Sequence, residues 1–274
     1  MQVIYIFGEM NLAHYQQQLF IKIISKYYPA FFSGKKILEI GSWIANDSIR
    51  KYFHNCEYIG ADVAAGPGVD VVCSGELLEF ENNFFDLTVS CECFEHNPEW
   101  IATFNNMYRM VKPGGLVLMS CASIGRGEHG TSRKSPDASL TVISGKEDYY
   151  ANLSKQDFLN NFNLDSMFAD YRFFYNIYFC DLYFIGFKKS NTDEYVISLE
   201  LISEINAIKE FPSPSYKRRL QKNINFILTF IYAKIIGEKK YHDFKFFLRS
   251  KFKKTHRISN PPIRPSEQQQ SPYN

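Results

Sequence analysis

The sequence predicts an α/β fold: a mostly parallel sheet of seven strands covered by helices, an antiparallel strand pair at one edge, and a helical extension behind it. Three observations carry this. Between residues 35 and 121, short apolar runs alternate with amphipathic stretches at the spacing of strand–helix units. Two aromatic-rich runs, roughly 169–175 and 181–188, lie too close together for a crossover helix and pair antiparallel. Past Lys189 the pattern turns helical, with Ile197, Leu201, Ile205 and Ile208 on one stripe. The chain has 274 residues, 45% of them hydrophobic and 22% charged, which excludes wholesale disorder, collagen and coiled coil.

Taken in order, Leu12, Tyr15, Leu19, Ile23 and Tyr27 mark a first helix that Pro29 ends. Ile37–Gly41 reads as a buried strand, with a polar start to a second helix at Asn46–Ser48. Strands follow at Tyr58–Asp62, Val69–Cys73 and Phe85–Cys91, then a helix over Trp100–Val111. Pro113-Gly114-Gly115 is a turn that feeds a fifth strand, Leu116–Cys121. Residues 122–150, rich in Gly, Ser, Arg and His, form a loop long enough to be functional or misassigned. A helix fits Lys155–Phe162. The expected division is therefore 1–190 for the α/β domain, 191–257 for a basic helical extension and 258–274 for a disordered tail.

Charge is unevenly spread. Residues 217–274 carry 14 Lys/Arg against 3 Asp/Glu, whereas residues 1–216 carry 17 against 26. A basic amphipathic extension has two open readings: it lies on an anionic membrane surface, or it packs on the acidic domain within one chain or across a homodimer. Cysteines at 56, 73, 91, 93, 121 and 180 show no C-x-x-C pair, which argues for reduced thiols rather than disulfides or structural zinc. The first residues lack the basic region of a signal peptide. A cytoplasmic protein is expected, peripheral at the inner face of the membrane if the extension docks there.

The chemistry-bearing residues cluster at strand ends. Gly41 closes the first strand, where it lets a ligand approach the backbone, and the expected helix after it would offer its N–H groups. Asp62 closes the second strand, where a carboxylate accepts hydrogen bonds from ribose hydroxyls. No G-x-G-x-x-G is present. The stretches EIGSW, GADVAAGPGVDVV, CFEHNPEW, NNMYRMVKPGGLV, GEHGTSR and DYYANL, in this order, resemble the class I S-adenosylmethionine-dependent methyltransferases, closest to the type-11 methyltransferase domain, over roughly residues 35–190.

That resemblance implies a Rossmann-like sheet, S-adenosylmethionine as cofactor and no metal. It also implies roles: Glu39 and Gly41 as the acidic and first glycine positions of the cofactor motif, with Ser42 and Trp43 beside the methionine and ribose. By the same resemblance Asp62 binds the ribose and Val63 packs on adenine. Ser74 and Gly75 read the adenine edge, and Cys91 and Glu92 face the methionine end. The second and third motif glycines are Trp43 and Ala45 here, and Asp47 stands where another glycine is common.

The sulfonium is an activated methyl donor, so the protein supplies positioning, plus a base if the nucleophile is a hydroxyl. His96, after the fourth strand, and His129, in the long loop, are the candidate bases. Arg126 and Arg133 are candidates for an anionic acceptor group, and Tyr149-Tyr150 for stacking on a sugar. Asn97-Pro98-Glu99-Trp100 lies eleven residues past Asp86, too far for the Asn-Pro-Pro-aromatic motif of nucleobase and amide N-methylation. The expected function is methyl transfer to a hydroxyl of a small molecule or saccharide, in cell-surface polysaccharide or secondary metabolism. A non-catalytic cofactor-binding module is the alternative, and a nucleic-acid methyltransferase ranks behind both.

Overall fold

The computed structural model describes residues 12–44, 47–145, 148–191 and 195–208, with isolated positions at 231, 232, 235, 237 and 240. The helices expected over 215–256, apart from those positions, and the tail 258–274 lie outside the described residues. So do Ala45 and Asn46.

In chain order the elements are α1 (Leu12–Tyr27), β1 (Lys36–Ile40), β2 (Glu57–Asp62), β3 (Val71–Val72), β4 (Phe85–Cys91), α2 (Trp100–Met110) and β5 (Val111–Ala122). After these come α3 (Leu140–Ile143), α4 (Lys155–Asn161), α5 (Leu164–Met167), β6 (Phe168–Asn176), β7 (Asp181–Lys188) and α6 (Leu199–Ala207). They build one sheet in the order β3-β2-β1-β4-β5-β7-β6. β1 pairs parallel with β2 and β4, and β4 parallel with β5. β7 is antiparallel to both β5 and β6, so the expected antiparallel pair closes one edge of the sheet.

Alternation of side chains along the strands makes two apolar layers. On one face Leu38, Ile40, Val117, Met119 and Phe184 pack under α2 and α4. Phe104 of α2 sits at the centre of this layer, with ring centroids 4.8 Å from Phe162, 5.3 Å from Phe158 and 5.4 Å from Phe184. On the other face Ile37, Leu87, Val89, Leu116, Leu118 and Ile185 pack under Phe20, Ile21 and Ile24 of α1. Ile197, Leu201, Ile205 and Ile208 join the same layer, each 3% exposed or less, so the helical stripe read in the sequence is buried against α1 and the sheet.

Two connections depart from expectation. No α-helix follows β1: after Gly41 the described chain runs irregularly to a single 3-10 turn, Ile49–Tyr52, capped by Ser48, whose Oγ accepts the Arg50 amide. The face such a helix would cover is already filled by α1 and α6, and Phe53 instead stacks on Phe32 at 4.6 Å. The Pro113–Gly115 segment is part of β5 rather than a turn before it. Val111 pairs with Phe85, a bulge follows, and Gly114 takes a φ of +75° to absorb it. Among the described residues no helix is long and apolar enough to cross a membrane.

Candidate functional site

The strand order reverses at β1, between β2 and β4, and in open α/β sheets ligands bind outside the strands' carboxyl ends at such a point. A cavity of about 460 Å³ opens there. One side is made by Gly41, Trp43, Asp62, Val63, Ser74 and Gly75, the other by Cys91, Glu92, His96, Arg126 and His129. The short helix α3, within the expected 122–150 loop, and the residue before it add Ser139, Leu140 and Thr141 to the wall.

Gly41 adopts φ +80°, and a Cβ built on it would lie 2.5 Å from Cys93 Cβ, so the chain passes here only as glycine. Asp62 is held firmly: its Oδ2 accepts the Trp43 amide at 3.0 Å and its Oδ1 the Val63 amide at 2.7 Å. Those bonds replace the expected helix N-terminus as the local source of backbone order. The Trp43 indole rests on Gly66, where a Cβ would come within 2.7 Å of Cδ1, and it lines the cavity rather than turning away.

Two of the cofactor-motif residues do not reach the cavity wall. Ser42 is buried, and its Oγ tucks against Gly60. Glu39 accepts a hydrogen bond from the Tyr58 hydroxyl at 2.7 Å, and burial raises its carboxyl pKa from 4.5 to about 7, the Tyr58 bond opposing the shift. Because the folded state favours the protonated acid, this group's contribution to stability is complete below pH 4.5 and is lost as the pH rises through about 7. Glu39→Gln keeps an acceptor for Tyr58. It is expected to leave stability at pH 4 unchanged and to raise it above pH 7 by up to about 3 kcal/mol, as read by urea unfolding across pH.

At the opposite wall, His96 and His129 meet edge to face with centroids 5.2 Å apart, and Tyr150 packs on both, 5.5 and 5.2 Å away. Burial lowers the His96 pKa to about 4. Burial, followed by the charge of Arg126 and the His96 ring, lowers His129 to about 3. Both imidazoles are neutral near pH 7. Glu95 is fully buried beneath them, with Oε1 4.0 Å from His129 Nε2. Burial and then neighbouring Glu92 push its carboxyl well above the usual range. Its place directly beside His96 in the chain was the one sequence signal for it.

The arginines are engaged within the protein. Arg126 donates to Asp181 at 2.9 Å and to the Phe179 carbonyl at 2.8 Å, and Arg133 forms a two-point pair with Glu128. Asn97 is structural: its Oδ1 accepts the Glu99 amide and its Nδ2 donates to Thr103 Oγ1 at the start of α2. All six cysteines are free thiols, and burial raises the pKa of Cys91 and Cys93 at the cavity wall.

Comparison with known proteins places this geometry. Residues 12–135 match the methyltransferase-domain family. The chain is similar to phosphoethanolamine N-methyltransferase 2 of Caenorhabditis elegans, 40% identical over 50 residues, 18% of this chain and 11% of that protein. It is also similar to ubiquinone biosynthesis O-methyltransferase of Pseudomonas entomophila (strain L48), 29% identical over 132 residues, 42% of this chain and 52% of that protein. The chain thus spans between about a tenth and a half of the length of these curated relatives. Among solved structures it is similar to phosphoethanolamine N-methyltransferase 2 of Haemonchus contortus in complex with phosphomonomethylethanolamine and S-adenosylhomocysteine (TM-score 0.45, 16% identity, 62% of this chain and 52% of that one). The family match falls on the residues that build β1 to β5 and most of the cavity wall, so residues 12–135 are similar to the methyltransferase domain.

Proposed function

We propose that the protein transfers the methyl group of S-adenosylmethionine to a hydroxyl of a small molecule or saccharide. The observation that carries this is one cavity that has the cofactor-motif residues Gly41, Trp43, Asp62, Val63, Ser74 and Gly75 on one wall and two neutral imidazoles on the other. The cofactor fits the residues present. Gly41 leaves the backbone bare where a Cβ would fill the wall, and the Asp62 carboxylate, already oriented by two amides, keeps lone pairs for ribose hydroxyls. Val63, Ser74 and Gly75 would border the adenine, while Cys91, Glu92 and Trp43 would border the methionine end. Bound there, the cofactor supplies an electrophilic methyl group.

The chain's own work is then to hold a hydroxyl in line and to receive its proton. His96 and His129, being neutral, each have a lone pair for the hydroxyl hydrogen; their low basicity leaves most of the effect to positioning. Similarity to the Pseudomonas O-methyltransferase supports oxygen as the accepting atom.

Asp62→Ala is expected to weaken S-adenosylmethionine binding roughly ten- to a hundredfold, the loss of about 1.5–3 kcal/mol in charge-assisted hydrogen bonds. Calorimetry decides this, and an unchanged dissociation constant removes Asp62 from the site. The function itself is tested by incubating the full chain with the cofactor and a panel of sugars, phenols and amines, following S-adenosylhomocysteine release. Product with hydroxyl acceptors supports the reading. Product with amines alone overturns oxygen as the acceptor, and cofactor binding without any product would leave a binding module.

A further inference from the structure

We propose that Glu95, His96 and His129 form a binding site for a divalent transition-metal ion of the zinc class at the acceptor wall of the cavity. Each offers one ligand atom, and these atoms all lie within 4.8 Å of one another. Two imidazoles and a carboxylate are a set that holds zinc or iron(II) with a coordination position left open. An ion with bonds of about 2.0–2.2 Å keeps its ligand atoms roughly 3–3.5 Å apart, so the widest pair must draw together by up to about 1.5 Å. His129 stands on the loop after β5, packed on His96 and Tyr150.

The polar atoms are arranged as ligands awaiting a cation. Glu95 is 0% exposed, and neither carboxyl oxygen meets a hydrogen-bond partner at bonding distance and angle among the described residues. His96 Nδ1 is buried and equally without a partner. His129 Nδ1 lies 3.1 Å from the Gly127 carbonyl, so a proton there donates to that oxygen and leaves the Nε2 lone pair on the side of Glu95. A backbone carbonyl fixing the tautomer of a histidine in this way is the usual outer support of a metal ligand.

Charge points the same way. Glu92, Glu95 and Asp181 bring three carboxyl groups to this end of the cavity, and Arg126, 2.9 Å from Asp181 and 3.9 Å from Glu92, is the guanidinium among them. His96 and His129 line the cavity, so an ion held by them would border the acceptor space, and an alcohol bound to it would lose its proton more readily. That use in methyl transfer rests on the function proposed above, whereas the binding of the ion does not.

The test uses the full chain after dialysis against a chelator, titrated with zinc and, for its spectrum, with cobalt(II). Expected are one zinc per chain by calorimetry and visible cobalt bands of a low-coordinate nitrogen–oxygen site. His129→Ala, at a partly exposed position, should weaken zinc binding at least tenfold, and Glu95→Gln should do the same. Equal affinity in His129→Ala, or an intense sulfur-to-cobalt charge-transfer band placing the ion on cysteines, overturns the site. If methyl transfer proceeds with no metal bound and zinc fails to bind, the metal site falls and the function stands. If zinc binds as described and no acceptor is ever methylated, the function falls and the site stands.

Discussion

Replacing Gly41 by alanine is expected to destabilise the protein by about 2–6 kcal/mol and to abolish cofactor binding in what remains folded. Two effects add. The φ of +80° strains any residue with a side chain by about 1–3 kcal/mol, and the new methyl would meet Cys93 Cβ at 2.5 Å, an overpacking of similar size. Cys93 Cβ is tied directly to its backbone, so it has little room to yield. Thermal unfolding should show a drop on the order of 10 °C. A variant with unchanged melting temperature and unchanged cofactor affinity would mean that the turn after β1 relaxes freely and does not shape the site.

His129→Ala is expected to lower turnover with a hydroxyl acceptor by about 10², chiefly through lost alignment of the hydroxyl because the imidazole is a weak base, while leaving cofactor affinity intact. The separation of effects follows from position: His129 lies across the cavity from Asp62 and Gly41, on the loop after β5, packed on His96 and Tyr150. Steady-state rates and calorimetry on the same variant provide both readings. Full turnover in His129→Ala and also in His96→Ala would show that alignment of the hydroxyl alone carries the reaction.

Much of this architecture is legible in the chain because burial leaves a periodic trace. Phe85–Cys91 alternates strictly enough for its strand to be read at its true length, and Ile197, Leu201, Ile205 and Ile208 fall on one helical face. Gly41 and Asp62 stand at strand ends, where the parallel topology gathers ligand-binding residues. The missing helix after β1 was not legible, because it depends on α1 and α6 having already taken the face it would cover. Of the two, α6, at Leu199–Ala207, lies far away in sequence. The burial of Glu95 was hidden for the same reason: a Glu-His pair after a strand reads like a polar loop until the segment after β5 folds over it. Neither Glu39 nor Ser42 gives any sign in sequence of turning from the cavity, since that is decided by contacts with Tyr58 and Gly60.

The return of residues 195–208 to the sheet decides where this chain can be shortened. Tyr195 stacks on Phe187 at 5.0 Å, Tyr28 donates to the Val196 carbonyl, and Lys26 pairs with Glu204. A polypeptide stopped after Lys189 would strip Ile197, Leu201, Ile205 and Ile208 from α1, leaving Phe20, Ile24 and Phe31 facing water as a continuous greasy strip. Size-exclusion chromatography of that shortened polypeptide should show self-association, whereas one stopped after residue 208 should elute as a single compact species. The segment after β7 is thus not a removable appendage; residues 195–208 act as the skin of the domain.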